Sequence, residues 1–250
     1  MIWLKSNAEI AKMRKAGRLT GETLNAVEAV IRPGVTTKEI SDFVDDFITK
    51  HGGIPSFKGY GGFPAAACVS VNDTVVHGIP DNTKVDEGDI VSVDVGAIIE
   101  GYHGDAARTF AVGTISPEAA KLIEVTKQSF FEGIKFAQPG YRIGDISSAV
   151  QTYAESFGYG VVRSLVGHGV GRELHEEPDV PNFGRPGKGA RLAVGMTLAI
   201  EPMINAGTYK VNVLDDGWTV KTNDGSLSAH YENSVAITDN GLEILTLADN

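Results

Sequence analysis

Two patterns of apolar and polar positions run along the chain and predict two kinds of element. Helical segments are bracketed by start and stop signals. Ser6 and Glu9 form an S-x-x-E capping box, and the segment it opens extends to about Ile31, before Pro33-Gly34. Thr36 and Glu39 repeat the signal, with an end near Gly52-Gly53. A third helix starts at Ser116-Pro117 and stops before Pro139-Gly140, and a fourth spans about Gly144 to Phe157. Between and after them lie strand-like stretches: CVSVN (68–72), DIVSVDVGAII (89–99), RTFAVG (108–113), GMTLAIEPM (195–203) and ENSVAIT (232–238). Alternation puts Val91, Val93 and Val95 on one strand face and Ile90, Ser92 and Asp94 on the other. Likewise Leu198 and Ile200 oppose Thr197, Ala199 and Glu201. In both places the aliphatics are expected under helices, and an acid stands among small or polar neighbours, as on a cavity wall.

No linker interrupts the pattern, so residues 1–250 read as one domain. That domain repeats itself. IRPGVTTKEIS (31–41) is similar to AQPGYRIGDIS (137–147), EGDIVSVDVG (87–96) to VGMTLAIEPM (194–203), and HGD (103–105) to HYE (230–232). The three matches come in the same order and predict two related halves, roughly 31–113 and 137–241. Asp94 then corresponds to Glu201, and Asp105 to Glu232. If Glu100-Gly101 is a two-residue turn, Ile99 pairs with Tyr102 and Gly96 with Asp105. Asp94 and Asp105 become diagonal neighbours on one face, about 7–8 Å apart along the backbone.

Composition narrows the function classes. The formal charge of −10 argues against a nucleic-acid partner, which calls for a basic face. No basic run suits an anionic membrane surface, and no apolar run approaches the ~20 residues of a span. The N-terminus lacks the continuous apolar stretch of a signal peptide, and Cys68 is the only cysteine. The expectation is a soluble, cytoplasmic protein. Its 30 glycines imply many turns and close backbone approaches.

Four carboxylates converging around a pseudo-twofold axis repel one another and cannot all stay ionised without a cation. No lysine or arginine recurs beside them in both halves, so divalent ions are the better counter-charge. His168, flanked by glycines in GHGVG, is the candidate fifth ligand. Such an oxygen-rich shell favours manganese, iron or cobalt, with zinc feasible. Ions sharing carboxylates would lie ~3.5–4 Å apart, the spacing of two-metal hydrolases.

Six motifs carry a resemblance over nearly the whole chain: VNDTVVHGIP (71–80), VSVDVG (91–96), GYHGDAARTF (101–110), GHGVGRELHEEP (167–178), LAIEPM (198–203) and HYENSVAIT (230–238). In this order they resemble the type I methionine aminopeptidases, in their bacterial form. The resemblance implies an α+β pita-bread fold, a curved antiparallel sheet backed by helices, with two pseudo-twofold-related halves. It implies removal of N-terminal methionine from nascent proteins and peptides by two-metal hydrolysis. Asp94, Asp105, His168, Glu201 and Glu232 would be the ligands, with Asp105 and Glu232 bridging. Glu201 would be the general base, His175 would polarise the scissile carbonyl, and His77 would contact the scissile amide. Tyr60, Phe63, Cys68, Leu174 and Trp218 would line the methionine pocket, where Leu174 departs from an aromatic residue of some relatives. A monovalent cation would sit near Asn72 and Ser228. The resemblance also implies a monomer working near the ribosome.

Prolidases and proline-specific aminopeptidases share the five ligands but usually carry an additional N-terminal domain, for which 250 residues leave no room. Type II enzymes insert a helical segment before the equivalent of Glu201, which here follows His168 by only 33 positions. Plainer readings apply to the remaining residues. His51 is a solvated helix-end residue. His103 and His230 are neighbours of the ligands or surface groups, and Cys68 is a small buried hydrophobe. Glu176 and Glu177 lie outside the metal shell. RPGKGAR (185–191) is a solvated loop.

Overall fold

A computed structural model describes residues 1–248. Four helices form: α1 (Asn7–Glu28), α2 (Thr37–Lys50), α3 (Pro117–Ile134) and α4 (Ile143–Ser156). Both capping boxes close. Ser6 N donates to Glu9 at 2.9 Å and Glu9 N donates to the Ser6 hydroxyl, and Thr36 with Glu39 does the same at 2.8 and 3.1 Å. Helix α1 ends three residues short of Ile31, whose amide instead turns back to Val27 O.

Nine strands form the main sheet: β1 (Ile54–Pro55), β2 (Ala67–Val71), β3 (Ile90–Ile99), β4 (Tyr102–Ala111), β5 (Gly167–Gly169), β6 (Glu176–Val180), β7 (Thr197–Ile200), β8 (Glu232–Thr238) and β9 (Gly241–Ile244). The order is β1-β3-β4-β8-β7-β5-β6, with β2 also on β3 and β9 also on β8. Every pairing is antiparallel.

One face of this sheet carries the helices. Val91, Val93 and Val95 pack with Leu24 of α1 and with Ile40 and Val44 of α2. Leu198, Ile200 and Val235 pack with Phe130 of α3 and Ile146 of α4. Each such side chain contributes roughly 1.5–3 kcal/mol by leaving water, so a one-residue slip that exposed three valines would cost several kcal/mol. The register is therefore fixed, and with it the face on which the acids lie. Helix α1 can lie close over β4 because Gly17 faces Gly104. A Cβ on Gly104 would stand 2.7 Å from the Gly17 backbone.

Two strands differ from expectation. The one expected over 108–113 begins at Tyr102 and ends at Ala111, because the Glu100-Gly101 turn starts pairing at once. The one expected over 195–203 is broken. It runs from Thr197 to Ile200, and Met203–Asn205 then joins Ser228–His230 in a separate three-stranded sheet. Pro202 has no N–H for the ladder, so the chain leaves the main sheet at Glu201.

Candidate active site

Residues Glu100 and Gly101 both adopt left-handed backbone, with φ of 51° and 77°, as a type I′ hairpin requires. Ile99 accordingly faces Tyr102, and Gly96 faces Asp105. Asp94 lies opposite Ala107, two pairs further along, so Asp94 and Asp105 share a face. Across the sheet centre Glu232 also lies opposite Ala107, and the next residue, Asn233, pairs with Ile200, which immediately precedes Glu201. His168 on β5 pairs with Ala199 of β7. Four sheet strands and one strand end thus bring all five expected ligands to one place.

The geometry of these groups suits cations. His168 Nδ1 lies 2.8 Å from Gly169 O. A carbonyl only accepts, so Nδ1 carries the proton and Nε2 presents a free lone pair. That Nε2 stands 3.7 Å from Asp105 Oδ2 and 3.6 Å from Glu201 Oε1. One oxygen each of Asp105 and Glu232 and a nitrogen of His168 lie within 4.8 Å of one another. Asp94 and Glu232 join a second such group with His230. Glu232 belongs to both.

Burial raises the pKa of Asp94, Asp105, Glu201 and Glu232, and the carboxylates raise one another further at the last three. Two like charges 4 Å apart repel by ~4 kcal/mol at an effective dielectric near 20. Arg108 approaches from behind, but its guanidinium donates to the carbonyls of Ala107 and Glu232 and to Asn233 Oδ1, at 2.6 Å for the last. The buried oxygens Asp94 Oδ1, Asp105 Oδ1 and Glu232 Oε1 have no hydrogen-bond partner among the described residues. An acid cluster with oxygens facing one another and no side-chain cation between them fits divalent metal ions.

Above the cluster opens a cavity of about 110 Å³ whose lining includes Asp94, Asp105, His168, Glu201 and Glu232. Its other wall is apolar. Phe63, Cys68 and Leu174 are buried together there, with Trp218 packed against them. The Phe63 and Trp218 rings meet edge to face at 5.2 Å. Cys68 lies opposite Asp94 in the β2–β3 register, and burial pushes its thiol well above the ordinary range, so it acts as a small hydrophobe. His77 reaches the cavity from a left-handed backbone, φ 58°, a conformation costly for a non-glycine residue and concentrated at functional sites. At the cavity's outer side His175 Nδ1 meets the Tyr60 hydroxyl at 2.8 Å, and its ring lies 4.1 Å from that of His168. Desolvation lowers the pKa of both His77 and His175.

The structure adds one residue that the sequence did not point to and decides between two readings of another. Phe57 joins the apolar wall from a loop without a periodic pattern. His230 is a buried neighbour of Glu201 and Glu232, not a surface group. Its position two residues before Glu232 was the available signal. His103 is also buried, with Nδ1 at 2.9 Å from the Ser56 hydroxyl. Glu176 lies outside the cluster, in a buried ion pair with Lys5. The Asn72 side chain binds Asp89 and Ile90 N, and Ser228 Oγ donates to Asn205.

Residues 11–239 match the model of metallopeptidase family M24. A methionine aminopeptidase of Clostridium acetobutylicum is 61% identical over the full length of both chains. Crystal structures of methionine aminopeptidases from Thermotoga maritima and Rickettsia prowazekii superimpose with TM-scores of 0.96 and 0.97, at 51% and 44% identity. The first match covers 98% of this chain and 99% of that one, the second 99% and 100%. The fold is the α+β pita-bread arrangement.

Proposed function

The chain belongs to metallopeptidase family M24, and on that premise we infer that it is a methionyl aminopeptidase, a hydrolase that removes the N-terminal methionine from proteins and peptides. One observation carries the reading: a buried carboxylate–imidazole cluster and an apolar recess open into the same 110 Å³ cavity. An apolar cavity of about 150 Å³ admits benzene, so this one suits a thinner chain such as the four heavy atoms of a methionine side chain. The aromatic edges of Phe63 and Trp218 suit its sulfur.

Asp94, Asp105, His168, Glu201 and Glu232 would hold two divalent ions, with Asp105 and Glu232 shared between them. When bound, such ions polarise the scissile carbonyl and lower the pKa of water to ~7. Iron, manganese or cobalt suits the oxygen-rich set best, and zinc is feasible. Glu201, within the cluster and on the cavity wall, would take the proton of the attacking water as general base. In the tautomer in which His175 Nδ1 accepts from the Tyr60 hydroxyl, Nε2 carries the proton and can donate to the oxyanion as it develops. His77 contacts the scissile amide. The substrate's free α-amine binds beside Asp94, which accounts for exopeptidase action. Tyr60, Phe63, Cys68, Leu174 and Trp218 enclose the methionine side chain.

The rest of the reading extends from there. Residues 1–250 act as one catalytic domain of two related halves, supported by the β3-β4-β8-β7 order about the sheet centre. The enzyme works as a cytoplasmic monomer on nascent chains near the ribosome. No described helix is long and apolar enough to cross a membrane. A monovalent cation would bind near Asn72 and Ser228. The metal-loaded protein is to be incubated with Met-Ala-Ser and with Ala-Pro-Ala. Release of methionine from the first is expected, whereas cleavage of the second alone would overturn the reading.

A further inference from the structure

His230 and Glu232 flank Tyr231, whose ring packs edge to face on Phe130 of α3 at 5.5 Å. With Tyr231 anchored toward the helices, the residues on either side of it project toward the acid cluster. His230 is 2% exposed, and its Nε2 has no hydrogen-bond partner among the described residues. Burying a polar atom without a partner is unfavourable, so its environment needs an explanation. The atom lies 3.9 Å from Glu201 Oε2 and 3.8 Å from Glu232 Oε2, too far to be a hydrogen bond to either. It is instead spaced like a ligand. The Nε2-bearing ring, Asp94 and Glu232 each offer one donor atom, all within 4.8 Å of one another.

We propose that His230 is a sixth metal ligand, so that each of the two ions has an imidazole of its own. Asp105 and Glu232 would serve both ions, His168 and Glu201 the first of them, and Asp94 and His230 the second. The proposal rests on the dinuclear reading above and goes beyond its five ligands. It has a chemical consequence. Exchanging an all-oxygen second site for one with a nitrogen donor strengthens its hold on cobalt and zinc relative to manganese. The two ions become more alike, where the five-residue set gives nitrogen to only one of them.

The test is titration of metal-free protein with Co²⁺, followed by calorimetry and by proton NMR of the paramagnetic complex, for wild type and H230Q. Wild type is expected to bind two equivalents and to show two exchangeable, strongly shifted imidazole N–H signals, one per histidine ligand. H230Q keeps one tight equivalent and one signal, and its affinity for the second ion falls at least ~10-fold, the low end of what even an outer partner of a ligand costs. Two equivalents bound with wild-type affinities by H230Q would overturn the proposal. So would a single shifted signal in the wild type, a result that needs no variant to fold. Wild-type protein that binds fewer than two equivalents would instead overturn the dinuclear reading itself, and this proposal with it.

Discussion

The floor of the cavity and its apolar wall meet the same substrate from different kinds of backbone. Asp94, Asp105, His168 and Glu232 stand on strands whose neighbours pair with them on both sides, and Glu201 follows directly on another. Tyr60 belongs to a short 3-10 turn, Trp218 to a turn held by Asp216, and Leu174 and His175 to the segment between β5 and β6. Charges that must converge to within a few ångströms are fixed by the sheet. Groups that only shape an apolar space, or donate one hydrogen bond, are carried by loops. Changes to the floor should therefore abolish chemistry, and changes to the wall should tune it.

The strongest break of this contrast is Glu201→Ala. Turnover of a methionyl peptide should fall toward 10⁴-fold, the upper end for a general base, because the residue is also expected to ligate metal. A loss under tenfold would mean that the floor does not carry the proton. His175→Ala should cost about 10²–10³ in kcat with metal content unchanged, as expected for one oxyanion donor. Loss of bound metal in that variant would show floor and wall to be one structure.

Next comes the strut beneath the wall. Lys5 and Glu176 form a buried ion pair, and Glu176 also accepts from the amides of Arg172 and Glu173, at 2.9 and 3.3 Å, on the loop that presents Leu174 and His175. Lys5→Met strands the carboxylate and should destabilise the fold by about 3–5 kcal/mol, read as a fall in Tm of roughly 10 °C. An unchanged melting curve would show the pair to be incidental. Leu174→Ala should lower discrimination between methionine and leucine at the first position by about tenfold, as expected for a changed hydrophobic contact, and leave metal affinity alone. Equal discrimination before and after would remove Leu174 from the pocket.

The smallest effect lies away from the cavity. The Ser6 amide and hydroxyl and the Tyr102 hydroxyl hold Glu9 down at about 2. A depressed carboxylate adds stability above its unfolded pKa near 4.5 and loses it as pH falls through about 2. Glu9→Gln should flatten the fall in stability between those values, with cleavage near neutral pH unchanged. An identical acid limb in both proteins would count against the capping box as its source.

The floor was legible in the sequence because period-two alternation and a two-residue turn leave little freedom. Val91, Val93 and Val95 settle one face, so Asp94 takes the other, and Glu100-Gly101 then places Asp105. The wall was less legible. Its residues were named through the family resemblance and not by pattern, and Phe57, on a loop with no periodicity, escaped. One local error has a plain cause: the strand expected through Met203 ignored the missing N–H of Pro202. For His230 the sequence left two readings open, beside the ligands or at the surface, and its burial decides between them.

The hairpin at Glu100-Gly101 also sets which copying errors the gene can survive. A substitution there disturbs one turn. A single deleted codon leaves too short a turn for Ile99 to face Tyr102, and a one-residue slip of β4 against β3 would carry Asp105 to the helix side with Ala106 in its place. Length changes here should accordingly be tolerated only where the turn itself takes them up and leaves Ile99 opposite Tyr102.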